Sequence, residues 1–335
     1  MIAEFLEALP EPALVVAEGQ VRRSNAAARA ILGPNIDGED VGAALGHPAA
    51  VERLLTANPE TPEEAEIVGL GEAERRWTMS VAPLSDGALF VRLTDRSEQH
   101  AAEQMRVDFV ANASHELRTP LATLVGYSET LREQAADLDL GTRERFTGIV
   151  YDEARRMQRL VEDLISLSRI EAERFTTPRD PLDLEPLARE ARESWHAIAT
   201  ERESDIVIHC TADLPAVAGD RGQLLQLLDN LIGNALRYGR CGAPVTLVMK
   251  RERGMVRLTV TDQGDGIPAE HIPRVTERFY RVDPSRSRSL GGTGLGLSIV
   301  KHIVERHRGR LNIESVVGQG TSFHVLLPLA APASS

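Results

Sequence analysis

The sequence predicts a multidomain α+β protein: an α/β domain, a helical hairpin that dimerises into a four-helix bundle, and an α/β sandwich. Three observations predict it. Short runs suited to strands and helices fill the first 95 residues, apolar residues recur at three- and four-residue spacing over about residues 97–173, and helical and strand patterns alternate from there to Pro328. A chain of 335 residues can hold two or three domains of ordinary size. We expect the boundaries 1–95, 96–174 and 182–330.

The first domain contains two predicted strand pairs. The run PALVVAEGQVRRSN predicts two strands joined by a Glu18-Gly19 turn, and Asn25 is placed to cap the helix AAARAIL, which Gly33 would close. After a variable middle, RRWTMSVAPL and GALFVRLTD predict two more strands joined through Asp86-Gly87.

Residues from Ser97 to about Glu173 predict two long helices. The helical pattern is interrupted once, at DLDLGT, where Asp139 can cap a second helix. Each helix carries an apolar seam, formed in the first by Leu117, Leu121, Leu124 and Leu131 and in the second by Val150, Met157, Leu160, Leu164 and Leu167. One hairpin has too little mass to cover both seams, so we expect a homodimer.

Helices and strands alternate beyond the proline-containing linker RFTTPRDPLDL. We expect helices over about 184–198 and 221–238 and in GLSIVKHIVERH, and strands in DIVIHC, PVTLVMK, MVRLTVTD, RLNIESV and TSFHVLLP. Since the order lacks the strict strand-helix alternation of a doubly wound fold, it predicts an α/β sandwich with a mixed sheet.

Composition argues against several classes of function. A formal charge of -12, from 38 Lys and Arg against 50 Asp and Glu, repels nucleic acid and anionic membranes. The sequence shows neither a signal peptide nor a membrane segment, and Cys210 and Cys241 are too far apart for a CxxC metal or redox motif. We expect a cytoplasmic chain that binds no nucleic acid, membrane-associated if an N-terminal anchor belongs to the protein.

The stretch FVANASHELRTPLATL, residues 109–124, contains the first candidate for chemistry. His115 lies about 200° from Leu117 around a helix of ~3.6 residues per turn, so it faces away from the apolar seam. Glu116 follows it directly, Thr119 lies one turn on, and Pro120 loosens the backbone. A lone exposed His usually has no function, and a zinc helix would need a second His where Thr119 stands. A carboxylate beside the imidazole favours nucleophilic chemistry.

The third domain holds candidates for phosphate binding, although neither of its two lysines follows a glycine in a G-x-x-x-x-G-K loop. In DNLIGNALRY, Asn230 and Asn234 lie one helical turn apart on a face that reaches Arg237. Such a face suits Mg²⁺ and polyphosphate. Taken alone, however, the two asparagines are better explained as an ordinary turn-bonded or interface pair.

Two glycine-rich stretches also allow two interpretations each. TDQGDGIP follows the strand that ends at Asp262, and by itself it predicts no more than a tight turn. GGTGLGLSIV runs from glycines into a helix whose N-terminus attracts anions, at a spacing unlike that of a dinucleotide fingerprint. Each stretch alone is weak support for a nucleotide site.

FVANASHELRTPL resembles the phosphoacceptor box of bacterial sensor histidine kinases. The resemblance implies that His115 takes the γ-phosphoryl group of ATP, that Glu116 acts as the base, and that Thr119 helps to orient water when the kinase dephosphorylates its partner. It further implies that the phosphoryl group passes to an Asp of a response regulator.

In this order, DNLIGNALRY, TDQGDGIP, VTERFYRVD and GGTGLGLSIV resemble the N, G1, F and G2 boxes of the histidine-kinase ATP domain, whose GHKL (Bergerat) fold is shared with gyrase and Hsp90. The resemblance implies that the protein uses ATP and Mg²⁺, with Asn234 as the Mg²⁺ ligand and Asp262 recognising adenine. The other residues that it implies around the nucleotide are Asn230, Arg237, Tyr238, Gly264, Gly266, Gly292, Gly294, Gly296 and, in the closing motif GQGTSF, Thr321. Many relatives have Lys where Arg237 stands, and Arg keeps the charge.

Residues 1–95 resemble a PAS sensor domain, most like that of phosphate-regulon sensor kinases, with TDRSE as its exit into the bundle. Neither cysteine falls in this segment, which excludes a flavin-cysteinyl photosensor, and a single loop residue, His47, is a weak basis for haem. Two alternatives to a kinase stay open. One is a non-catalytic dimeric scaffold, which the presence of His115, Glu116 and Asn234 disfavours; the other is a conformational ATPase, which the phosphoacceptor box disfavours.

Overall fold

The computed structural model describes residues 2–56, 61–71, 75–134, 137–173, 175–283 and 292–330. The chain divides into two compact units, Met1–Ala111 and Asn112–Ser335. Within the described ranges we find no helix that combines the length and the apolar composition needed to cross a bilayer.

The first unit is built on one antiparallel sheet with the strand order β2-β1-β5-β4-β3. Its elements are α1 (Ile2–Glu7), β1 (Ala13–Ala17), β2 (Gln20–Ser24), α2 (Ala26–Leu32), α3 (Val41–Leu45), α4 (Pro48–Thr56), β3 (Glu63–Val68), β4 (Arg76–Pro83) and β5 (Leu89–Asp95). Three short helices therefore lie between its second and third strands.

The predicted turns and caps of this unit are confirmed. Glu18 and Gly19 both have positive φ, 55° and 75°, as a tight hairpin turn requires. Asn25 caps α2 by accepting a hydrogen bond from the backbone N–H of Ala28 at 2.8 Å, and Gly33 ends the helix at a φ of 123°. The strands on either side of Asp86-Gly87 are also found, as β4 and β5.

β3, α3 and α4 were not predicted from the sequence. β3 has the sequence EEAEIV, in which three of six residues are Glu and Ile67 is the one fully buried side chain. Such a strand lacks the apolar alternation that marks a half-buried strand, because it lies at the edge of the sheet.

The predicted helical hairpin is present as α5 (Ser97–Glu133) and α6 (Leu140–Ala172). Asp139 caps α6 as expected, by accepting a hydrogen bond from the Thr142 N–H at 2.8 Å. The arms meet where Tyr127 packs edge-on against Phe146, with ring centroids 4.9 Å apart. In this single chain Leu121 of the α5 seam remains 52% exposed.

The remaining elements form the sandwich, in which helices pack on one another and on a five-stranded sheet. They are β6 (Pro181–Leu182), α7 (Leu184–Glu201), β7 (Ile206–Cys210), β8 (Val217–Ala218), α8 (Arg221–Tyr238), β9 (Val245–Glu252), β10 (Met255–Thr261), α9 (Gly296–Arg306), β11 (Arg310–Val316) and β12 (Gly320–Pro328). The sheet order is β11-β12-β10-β9-β7, with β7 parallel to β9 and the other pairs antiparallel. The predicted mixed sheet is confirmed.

Helix α8 is the centre of the sandwich. Asp220 caps its first turn by accepting from the Gln223 N–H at 3.0 Å. Its apolar side is fully buried against α7, α9 and the sheet through Leu224, Leu227, Leu228, Leu231 and Ile232. Where α7 crosses it, the ring of Trp195 rests on Gly233, and the Trp195 Nε1–H donates to the Asp229 carboxylate at 3.0 Å.

We predict that Gly233→Ala lowers the free energy of unfolding by about 1–3 kcal/mol, the usual cost of overpacking. A Cβ at Gly233 would lie 2.8 Å from Trp195 Cη2, which is closer than such contacts occur. Urea unfolding checks the prediction. Gly222→Ala in the same helix is the control, since its Cβ would meet Asp220 Oδ1 at an ordinary 3.4 Å. That variant should be neutral or more stable by up to about 1 kcal/mol; equal destabilisation of both would contradict the prediction.

Candidate functional site

A cavity of about 380 Å³ opens between α8, the loop after β10, the start of α9 and the side of α6. Most of the predicted binding residues line it: Asn230, Asn234, Arg237, Tyr238, Asp262, Gly266, Gly292, Gly294, Gly296 and Thr321. A cavity of this size with polar side chains converging on it is the usual form of a small-molecule site. The stretch VTERFYRVD, which resembles the F box, ends at Asp283, and residues 284–291 after it lie outside the described residues.

The polar side of α8 supplies one wall. Because its apolar side is buried, the residues at four- and three-residue spacing on the other side, Asn230, Asn234 and Arg237, turn toward the cavity. Asn230 is held by a hydrogen bond from its Nδ2 to the Gln226 carbonyl at 3.0 Å. Its Oδ1 lies so close to Gly296 that a Cβ there would be 2.7 Å away. The amide oxygen is thereby fixed against the start of α9.

Asp262 lies at the end of β10 and is 6% exposed. Its Oδ1 accepts hydrogen bonds from the backbone N–H groups of Gly264, at 2.8 Å, and Thr321, at 3.3 Å. Burial raises the pKa of this carboxyl above its ordinary value, while the two hydrogen bonds oppose the rise. A buried acid at a cavity wall is suited to accept a hydrogen bond from an uncharged ligand donor.

Gly264 is the predicted binding residue that does not line the cavity. A Cβ at this position would lie 2.3 Å from the Tyr238 carbonyl oxygen. The close approach joins the end of α8 to the loop after β10, and Gly239 and Gly264 form an isolated β-bridge there. A glycine is therefore needed at position 264 because the backbone packs closely there, behind the cavity wall, and not because a ligand would contact it.

The start of α9 forms the end of the cavity that is best suited to anions. Gly292, Gly294 and Gly296 lie along it, and the helix N-terminus presents partial positive charge. Gly294 has a φ of 74°, and a Cβ there would lie 2.9 Å from Phe279 Cα. Phe279 also has a positive φ, 63°, and donates its N–H to the Gly294 carbonyl at 2.8 Å. These contacts hold Phe279 beside the glycines that lead into α9.

A third side of the cavity comes from α6, which the sequence did not predict. Arg159, Glu162 and Asp163 line it, and Asp163 Oδ2 accepts a hydrogen bond from the Thr293 hydroxyl at 2.7 Å. Burial raises the pKa of the Asp163 carboxyl, against the opposing effects of Thr293 and of the Arg237 charge. Burial likewise lowers the pKa of Arg237, which as a guanidinium still stays charged near neutral pH.

His115 and Glu116 lie outside the cavity wall, on α5. His115 is exposed, as predicted from its position opposite the seam, and Glu116 is half-buried. The Glu116 carboxylate accepts hydrogen bonds from Arg281 at 2.8 Å and from Arg156 of α6 at 3.4 Å. No hydrogen bond among the described residues joins the His115 ring to Glu116. Thr119 is exposed one turn on, with its hydroxyl 3.5 Å from the His115 carbonyl oxygen.

Arg281 connects the two parts of the site. Its side chain is 7% exposed, lines the cavity, and donates both to Glu116 and, at 2.8 Å, to the Gly292 carbonyl. The sequence contained this residue within VTERFYRVD but gave no signal for its partner, because Glu116 is 165 residues away along the chain. One guanidinium therefore bridges the His115 helix and the anion end of the cavity.

Judged from the residues that the structure describes, the cavity could bind Mg²⁺ only together with a ligand. These residues include no group of three or more His, Cys, Asp or Glu side chains that could hold a metal ion. A cation in the cavity would depend on the amide oxygens of α8 and on oxygens of a ligand. Mg²⁺ is commonly bound in this manner, by one or two protein oxygens together with phosphates and water.

Two family models match the chain. The model of the His Kinase A (phospho-acceptor) domain matches residues 105–173, which include His115. The model of the histidine kinase-, DNA gyrase B-, and HSP90-like ATPase matches residues 219–331, which include most of the cavity wall.

Relatives of known type are similar over much of the chain. The phosphate regulon sensor protein PhoR of Pseudomonas aeruginosa is 34% identical over 328 residues, covering 96% of this chain and 73% of that protein. The sensor-like histidine kinase SenX3 of Mycolicibacterium smegmatis is 38% identical over 241 residues, covering 71% of this chain and 61% of that protein. The chain thus spans about three quarters of the first and less than two thirds of the second.

Solved structures are also similar. Full-length ShkA in complex with AMPPNP gives a TM-score of 0.50 at 29% identity, over 68% of this chain and 47% of that one. The histidine kinase ThkA, solved in complex with the response regulator protein TrrA, gives a TM-score of 0.53 over 99% of both chains. Its 19% identity shows likeness of fold alone.

We predict that Asp262→Asn raises the free energy of unfolding at about pH 7 by roughly 1 kcal/mol, because the variant no longer buries a charge. A carboxyl whose folded pKa is raised contributes stability below its unfolded pKa and loses it as pH rises through the folded pKa. The neutral amide avoids that loss and keeps an acceptor for Gly264 and Thr321. Urea unfolding at neutral and acid pH should show the gain shrinking below the ordinary carboxyl pKa of 3.8. Asp180→Asn, an exposed control, should show no gain, and a gain for Asp262→Asn that persists in acid would refute the explanation.

Proposed function

The chain belongs to the sensor histidine kinases, the ATP-dependent protein-histidine kinases of two-component signalling, and we propose that its phosphate acceptor is His115. The observation that carries the proposal is the side chain of Arg281. It touches Glu116, the neighbour of His115, at 2.8 Å and also lines the cavity that is suited to nucleotide. The acceptor helix and the nucleotide site are therefore one side chain apart.

We assign the nucleotide to the cavity of α8 and α9. Asp262 would accept a hydrogen bond from the adenine amine, since it is a buried acceptor at the wall. Tyr238 and Gly266 line the same cavity, and we assign Arg237, Asn230 and the three glycines at the start of α9 to the anion end, where the phosphates would lie. Thr321 supports this wall through its N–H to Asp262.

Asn234 is the proposed Mg²⁺ ligand. Its amide oxygen is the kind of donor that Mg²⁺ accepts, and it projects from the polar side of α8 into the cavity. When bound, Mg²⁺ supplies charge neutralisation on the phosphates. Asn230 and Arg237, one turn to either side of Asn234 along α8, would hold the polyphosphate in position.

In the proposed reaction an imidazole nitrogen of His115 attacks the γ-phosphorus of ATP. The new P–N bond forms as the bond from the γ-phosphorus to the β–γ bridging oxygen breaks, and ADP leaves. The proton of the other imidazole nitrogen passes to the Glu116 carboxylate, which acts as the base. Arg156 and Arg281 hold this carboxylate in place, and the side chain must turn from them toward His115 for the transfer.

The phosphoryl group would next pass to an Asp of a response regulator. ThkA has been solved with such a protein, which supports this class of partner for a chain of the same fold. Thr119, exposed one helical turn from His115, would orient water for the reverse, phosphatase reaction. We further propose a homodimer through the hairpin, because Leu121 of the α5 seam and Val125 near it are left exposed in the single chain.

For domain organisation we keep the division into a PAS-like sensor domain, 1–95, a dimerisation and phosphotransfer hairpin, 96–174, and an ATP-binding domain, 182–330. The antiparallel sheet with three helices between β2 and β3 supports the PAS-like assignment.

We predict that His115→Gln abolishes phosphorylation but leaves ATP binding intact, because His115 does not line the cavity. The purified parent and the variant are incubated with Mg²⁺ and γ-labelled ATP, and the stability of the bound label is tested. Label on the parent should survive alkali and be lost in acid, as phosphohistidine is, and the variant should carry none. His196→Gln, an exposed histidine on α7, is the control and should label like the parent. A parent that binds ATP and takes up no label would overturn the proposal.

We predict that Asn234→Ala weakens binding of an ATP analogue at least about tenfold in Mg²⁺. Chelation of Mg²⁺ should weaken binding to the parent strongly and binding to the variant little, because the variant has already lost the protein ligand. Asn312→Ala on the exposed face of β11 should behave as the parent does. An equal response of Asn234→Ala and the parent to chelation would remove Asn234 from the Mg²⁺ site.

A further inference from the structure

A carboxylate occupies the end of the cavity that we assign to phosphate. Asp163 projects from α6, lines the cavity, and accepts a hydrogen bond from the Thr293 hydroxyl at 2.7 Å. Thr293 is 9% exposed and lies three residues before the first residue of α9; its hydroxyl oxygen also accepts from the Leu295 N–H at 3.3 Å. Asp163 is therefore tied to the segment that forms the anion end.

The charges around Asp163 are those that a polyphosphate would need. The positive charges that favour its ionised form are Arg237 of α8 and Arg159 of its own helix, and Glu162 opposes them. Both arginines line the same cavity. Since a carboxylate and a phosphate compete for the same cations and the same helix N-terminus, the two cannot both be fully stabilised there.

Polar contacts beyond Asp163 hold the end of α6 against the sandwich. Ser166, one turn beyond Asp163, donates to Gln226 of α8 at 2.7 Å, and Arg306 of α9 pairs with Glu173 at 2.7 Å. Arg278 pairs with Glu171 as well. The apolar side of the same stretch is buried through Leu160, Leu167 and Ile170. The position of the Asp163 backbone is thus set by the packing of a whole helix, so its carboxylate leaves the phosphate end only when the side chain turns or α6 loosens.

We propose that Asp163 is an affinity-setting residue of the nucleotide site, whose carboxylate occupies the phosphate end and has to give way when ATP binds. The proposal rests on the proposed nucleotide site and goes beyond it by naming a competitor built into the hairpin. Bound ATP and the α6 contact then oppose each other, so whatever loosens α6 from the sandwich raises the affinity for ATP.

The test compares Asp163→Asn and Asp163→Ala with the parent. Asparagine is nearly the same size and keeps an acceptor for Thr293, so it removes the charge alone; alanine removes the hydrogen bond as well. The full chain is titrated with a non-hydrolysable ATP analogue in Mg²⁺, and the initial rate of labelling from ATP is measured in parallel. Asp152→Asn, an exposed acid on the same helix, controls for a general change in charge.

We expect Asp163→Asn and Asp163→Ala to bind the analogue about tenfold more tightly than the parent, with Asp152→Asn unchanged. Labelling at low ATP should rise in step. If Asp163→Asn binds like the parent and only Asp163→Ala binds more weakly, the residue merely positions Thr293 and the proposal is overturned. Weaker binding by both variants overturns it too.

Failure of the underlying site gives a different result. If neither the parent nor any variant binds the analogue, the assigned nucleotide site itself is wrong, and this proposal falls with it. If the parent binds too weakly to measure and Asp163→Asn binds measurably, both stand. His115→Gln should not alter the differences in affinity, because it removes only the acceptor.

Discussion

The burial of one side of α8 is the constraint on which the rest of the site depends. With Leu224, Leu227, Leu228 and Leu231 packed inside the sandwich, the opposite side of the helix can face only the cavity. The amides and the guanidinium on that side are therefore directed toward the cavity by hydrophobic packing, and for Asn230 a hydrogen bond to the Gln226 carbonyl also fixes the side chain. The same packing brings the loop after β10 to the C-terminal end of α8 and the start of α9 to Asn230 in its middle, so that a buried acid and a helix N-terminus line one cavity.

Attraction between arginine and carboxylate side chains of distant segments connects this cavity to the hairpin. Glu116 of α5 bonds to Arg281, and Asp163 of α6 lies in the field of Arg237. In both cases a carboxylate of the hairpin neutralises a cation that a polyphosphate would otherwise attract. Binding of an anionic ligand and docking of the helices therefore draw on one set of positive charges. Such sharing makes the two events energetically dependent without any rearrangement of the sheet, because only side-chain partners change.

Local sequence patterns predicted most of the fold because the elements concerned are governed by local physics. The caps at Asn25 and Asp139, the long apolar seams and the mixed sheet all follow from periodicity and turn chemistry. β3 was missed because a charged edge strand carries little apolar signal. Arg281 and Asp163 could be seen in the sequence, but not their roles. Those roles depend on which helix docks beside them, and Gly264 similarly serves a backbone contact with Tyr238 that only the folded chain creates.

Helix α5 runs unbroken for 37 residues, and His115 stands 18 positions after its first residue, before the proline that follows. The direction in which the imidazole points around the helix axis therefore depends on the number of residues between it and the start of α5. Each residue gained or lost upstream of His115 turns it by about 100°, whereas a change of seven residues returns it to within about 20° of its first heading. Evolution can thus lengthen α5 in steps of seven residues while the imidazole keeps its direction around the helix axis.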